Sequence, residues 1–115
     1  MQNKLTFEIE FRFNRLSVRL ERLAANFDRL ATLILAGEHS GQALQCLQEC
    51  KLFIEWTGID LDVDRAYELV QMQRQLVQWQ RSWESIWTVA EERSAIGQDL
   101  QTWRVQVQEM TLVLA

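Results

Sequence analysis

Apolar residues in this chain recur at alternating intervals of four and three through two long stretches, and that periodicity restricts its fold more than any other feature. The first stretch runs Ile9, Phe13, Leu16, Leu20, Leu23, Phe27, Leu30, Ile34; the second runs Leu69, Met72, Leu76, Trp79, Trp83, Ile86, Ala90. Such spacing keeps one stripe of a helix turned toward a partner helix over several turns. Proline, which costs about 3 kcal/mol in a helix interior, is missing from all 115 residues. The expectation is an all-α fold: one domain over residues 1–115, an antiparallel bundle of about four helices with coiled-coil-like seams, in the order long, short, long, short. A chain of this length buries ~65% of its unfolded surface, enough for one core.

Helix boundaries follow from the seams and the turn residues. Leu5, Phe7, Ile9, Phe11 and Phe13 alternate with Thr6, Glu8, Glu10 and Arg12, which is a strand pattern. A lone strand has no hydrogen-bonding partner in a helical protein, so the reading is one helix over 5–36. Gly37 suits a left-handed C-terminal cap, and Ser40 suits the next N-terminus. A second helix is expected over 41–56, a third over 63–93 with Asp60 or Asp62 as its cap, and a fourth over 97–114. The break at 93–97 rests on a phase slip: the last seam resumes as Ile96, Leu100, Trp103, Val107, Met110 and Leu114. An unbroken helix from 62 to 113 would also be ~78 Å long at 1.5 Å per residue. Ala36–Gln45 and Ala90–Gln101 share a Ser/Gly pattern, which reads as an internal duplication.

Charge argues against one large class of partner. The net charge is −4, whereas nucleic-acid binding needs a basic field. The positive share lies early, as Arg12, Arg15, Arg19, Arg22 and Arg29, and reads as a solvated or acid-paired helix face. No apolar run reaches 18 residues and no signal-peptide core follows Met1, so neither a membrane partner nor export is expected. Two cysteines without an export signal place the chain in a reducing cytoplasm.

Catalytic and metal constellations do not assemble in the sequence. Cys46 and Cys50 share a helix face at i, i+4, and with His39 give three candidate ligands where structural zinc takes four. Core packing accounts for them better. His39 has Glu38 and Ser40 as sequence neighbours, and neighbours in a turn do not converge as a triad does. Asp60, Asp62 and Asp64 mimic the opening of a calcium loop, but the loop glycine and closing glutamate are wrong; helix capping explains them. Neither a Gly-rich phosphate loop nor a Glu-x-x-His pair occurs. Trp56-Thr57-Gly58 resembles the turn motif of the small secreted Trp-x-Gly helical hairpins. The resemblance covers those three residues; the Gly-Ser break at 37–41 departs from the single hairpin of that family, and its C-terminal tyrosine-acid signal is not seen. Nothing of that family's function is carried across.

The sequence therefore reads as a non-enzymatic protein–protein interaction module, an adaptor, assembly factor or regulatory subunit, with no cofactor and no metal. The expected interaction surface is the set of large residues off the seams, Phe7, Phe11, Val18, Val70, Val77 and Trp87, with Arg12 and Arg19 beside them. Self-association through these residues, as a homodimer, is the expected use. Two alternatives stand beside it: a small acidic helical chaperone for export or assembly, and a ligand- or metal-binding bundle built on Cys46, Cys50 and the tryptophan face.

Overall fold

The computed structural model describes residues 3–114. They form six helices: α1 Lys4–Phe13, α2 Leu16–Ala36, α3 Ser40–Gly58, α4 Val63–Arg81, α5 Trp83–Thr88 and α6 Ala90–Leu114. No strand occurs among the described residues, and no helix there is long and apolar enough to cross a membrane.

α2, α3, α4 and α6 make the bundle. Gln101 donates to Asp28 at 3.0 Å, Trp103 lies edge-on to Phe27, and Gly97 faces Leu35, so α6 runs antiparallel to α2. α3 returns along the other side of α2, where the Cys46 thiol donates to the Asn26 carbonyl at 3.6 Å. α4 then runs back along α3, where Gln73 donates to the Lys51 carbonyl and Lys51 to the Gln80 amide oxygen. The seam residues fill the centre: Leu20, Leu23, Phe27, Leu30, Ile34, Leu69, Leu76, Leu100 and Val107 are fully buried.

The expected first helix, 5–36, is two helices. Asn14 and Arg15 are extended, at φ −73°, ψ 148° and φ −65°, ψ 162°. The Asn14 side chain ends α1 by donating to the freed Glu10 and Phe11 carbonyls at 3.1 and 3.2 Å. Asparagine competes with the helix ladder in this way, and its short amide satisfies the last turn. The bend lets α1 fold onto α3, where Phe11 stacks on Phe53 at 4.1 Å and 14° while Phe7 meets Trp56 edge-on at 5.7 Å.

The break expected at 93–97 lies instead at 82–89. Ser82 separates α4 from α5, and Val89 is extended at φ −119°, ψ 110°. Thr88 and Val89 are β-branched and poor helix formers, and the Thr88 hydroxyl donates to the Glu84 and Ser85 carbonyls in place of a longer ladder. Arg93 then donates to the Trp87 carbonyl at the end of α5. Gly97 sits inside α6, where an added Cβ would stand 3.0 Å from Leu35, so this glycine serves close packing and not a turn. The duplication fails with it, because 37–39 is a turn and 90–101 is helix. Gly37 does cap α2 in the left-handed conformation, at φ 67°. Asp62 caps α4 by accepting from the Arg65 N–H. Ser40 does not cap α3; its hydroxyl accepts from the Trp83 indole at 3.0 Å.

Arg19 locks the start of α2 to the end of α3. Its buried guanidinium donates to the Trp56 carbonyl at 2.9 Å and to the Asp60 carboxylate at 2.8 Å. A cation there also opposes the partial negative charge of the α3 C-terminus. Arg19→Ala, which leaves a buried carbonyl without a donor, is expected to lower the unfolding free energy by about 2–3 kcal/mol in urea denaturation. Asp60→Asn, at the half-exposed end of the same pair, is expected to cost under about 1 kcal/mol.

Candidate functional site

The first helix carries apolar groups on two opposite faces. In a helix, residues two apart are rotated by about 200°, so an alternating pattern splits into two stripes on opposite sides. Phe7 and Phe11 form the inner stripe and join Phe53 and Trp56 in a four-ring cluster. Arg22 closes this cluster, its guanidinium 5.1 Å from the Phe11 ring centroid while it pairs with Glu10 at 3.0 Å. Leu5, Ile9 and Phe13 form the outer stripe and stand 66%, 62% and 91% exposed. Glu8 and Arg12 flank that stripe on one side and pair with each other at 3.0 Å. A helix anchored by one apolar face while presenting another is the best candidate surface in the molecule.

The residues expected to form the interaction surface are scattered by the fold. Phe11 is fully buried and Phe7 half-buried, both turned toward α3. Arg19 is buried and committed to Trp56 and Asp60, so it offers nothing to a partner. Val18 and Val77 are half-buried, as is Trp87, which stacks on Trp83 at 5.5 Å and 28°. Val70 and Arg12 are exposed. Periodicity hides the outer stripe, Leu5, Ile9 and Phe13, because Ile9 and Phe13 continue the α2 seam without a fault and so read as core. The signal that could have found it is the alternation itself, read on a helix.

A second, shallower feature lies between α4 and α6, whose backbones hardly approach each other. Trp79 and Trp103 bridge the space, stacked at 5.0 Å and 17°. Grooves of about 400 and 380 Å³ flank the stack. The first is lined by Tyr67, Glu68, Met72 and Gln106, the second by Gln78, Ile86, Glu92 and Asp99 among others. The tryptophans thus act as spacers in the core.

The thiols pack as core residues. Cys46 and Cys50 are 1% and 0% exposed, and burial pushes the Cys50 thiol well above its ordinary range. Among the described residues no group of three or more His, Cys, Asp or Glu side chains is placed to hold a metal ion. His39 is exposed beside Glu38. Asp60 pairs with Arg19 and Asp62 with Arg65, whose hydrogen bond holds the Asp62 carboxyl below its usual range. No family model, curated protein or solved structure matches this chain.

A raised thiol pKa favours the protonated form in the folded state, so this contribution to stability is full below the unfolded value of ~8.5 and is lost as pH rises through the higher folded one. Native protein at neutral pH is therefore expected to leave Cys50 unlabelled by a thiol reagent over minutes, with both cysteines reacting at once in denaturant. Unfolding free energy is expected to decline above about pH 9, and Cys50→Ala is expected to flatten that decline.

Proposed function

We propose that this chain is a non-enzymatic helical protein–protein interaction module, an adaptor, assembly factor or regulatory subunit, whose contact surface is the outer face of α1. One observation carries the reading: Leu5, Ile9 and Phe13 lie exposed in a row on a helix whose opposite face is already anchored. Large apolar side chains left in water forgo about 1.5–3 kcal/mol each, set against a total stability of ~5–15 kcal/mol. A partner that covers the row recovers that energy. Because Phe7 and Phe11 hold α1 on α3, the row is presented on a fixed scaffold, which keeps the ordering cost of binding low.

The chaperone reading is second, supported by the α4–α6 grooves. Their apolar floor and glutamine-rich rim suit a client's amphipathic helix, and Glu92 and Asp99 would favour basic residues on it. Filling the groove with Ala95→Trp would then release the client, whereas changes on α1 would not.

Ile9→Asp and Phe13→Asp test the primary reading. Both sites face solvent, so circular dichroism and urea midpoints are expected to stay close to those of the parent. Complexes stabilised by chemical cross-linking in the native host, and any self-association seen by sedimentation, are expected to be lost in both. If every complex survives both substitutions, the outer face of α1 is not a contact surface.

A further inference from the structure

We propose that the outer stripe of α1 pairs with the same stripe of a second copy of this chain, antiparallel, about a two-fold axis passing beside Ile9. The proposal rests on the reading of this stripe as a protein contact surface, and it names the partner and the register. Leu5, Ile9 and Phe13 are evenly spaced, so an antiparallel copy centred on Ile9 sets Ile9 against Ile9 and Leu5 against Phe13 at both ends. A large ring then always meets a smaller aliphatic group, and no ring faces a ring across the seam.

The flanks obey the same symmetry. At 100° per residue, Glu8 and Arg12 fall on one side of the stripe, and Thr6 and Glu10 on the other. A two-fold axis perpendicular to the helices brings each flank against its own copy, as e meets e and g meets g in antiparallel coiled coils. The Glu8–Arg12 flank then becomes a neutral cluster of two carboxylates and two guanidinium groups. Each Glu8 lies between its own Arg12, at 3.0 Å, and Arg12 of the second copy. On the opposite flank Glu10 is already neutralised by Arg22, also at 3.0 Å, so no unpaired like charges converge there. A parallel pairing would instead stack Phe13 on Phe13 and turn the Glu8–Arg12 flank toward the Thr6–Glu10 flank of the second copy, so that Glu8 gains no Arg12 from it.

Size sets the strength. A ten-residue helix is about 15 Å long, and a contact of that length falls well short of the ~1,200 Å² usual for stable complexes. The pair is therefore weak and transient, and steered by the charged flank.

Cysteine cross-linking and a charge swap test this together. Ile9→Cys, on the axis, is expected to form a disulfide-linked dimer under mild oxidation on its own. Leu5→Cys and Phe13→Cys are each expected to stay monomeric alone and to link when mixed. The parent chain is the control, since Cys46 and Cys50 are buried. In sedimentation at several hundred micromolar, Glu8→Arg alone and Arg12→Glu alone are each expected to weaken the dimer on the order of ten-fold, by gathering four like charges, while an equimolar mixture restores it. Self-linking of Leu5→Cys and Phe13→Cys would establish a parallel pair and overturn the register. Absence of linking in every variant, or dimers indifferent to both charge reversals, would overturn the second copy as occupant. If Ile9→Asp still abolishes host complexes in that event, the contact-surface reading stands without this inference.

Discussion

The buried guanidinium of Arg19 fixes the first turn of α2 against the last turn of α3, and the placement of the N-terminal helix depends on that contact. α2 packs on α6 along one side and on α3 along the other, so its position relative to α3 decides how the remaining helices meet. With Trp56 held by its carbonyl, the indole is presented to α1 together with Phe53. α1 then has a prepared aromatic surface to fold onto. The two extended residues at Asn14 and Arg15 let it arrive there, and Arg22 spans the bend through Glu10 and the rings.

A similar device operates at the other sharp break. Arg93 in α6 donates back to the Trp87 carbonyl at the end of α5 and lies over the Trp87 ring at 5.9 Å. Both arginines satisfy carbonyls that a helix end leaves free, and both do so from a neighbouring helix. In a chain without proline, helix ends fall to glycine, as at Gly37, or to capping side chains and β-branched residues. The breaks at Asn14 and Val89 are made the second way, and neither carries a glycine or proline that would mark it in the sequence.

The exposed apolar stripe of α1 is a by-product of the same geometry. Once Phe7 and Phe11 are committed to Phe53 and Trp56, Leu5, Ile9 and Phe13 point away from every other helix. Their exposure is thus tied to the anchoring of the inner stripe, and loosening the four-ring cluster would disturb the surface as well. The tryptophans of the long seam have a different part: Trp79 and Trp103 hold α4 and α6 apart, leaving grooves lined mainly by uncharged side chains.

The sequence by itself determined the helical class, the seams of α2, α4 and α6, the Gly37 cap, an aspartate cap for α4 at 60 or 62, and the burial of Cys46 and Cys50. Each of these follows from local periodicity or from the backbone preference of a single residue. Tertiary structure decided where helices break and which face of α1 turns inward. A three-four seam continues numerically across a bend of two residues, so periodicity could not register the break at Asn14–Arg15. Nor could it choose between two apolar stripes on opposite sides of one helix. That choice was made by Phe53 and Trp56, more than forty residues away in sequence, which meet two rings, Phe7 and Phe11, on the inner stripe where the outer stripe offers one ring beside a leucine and an isoleucine.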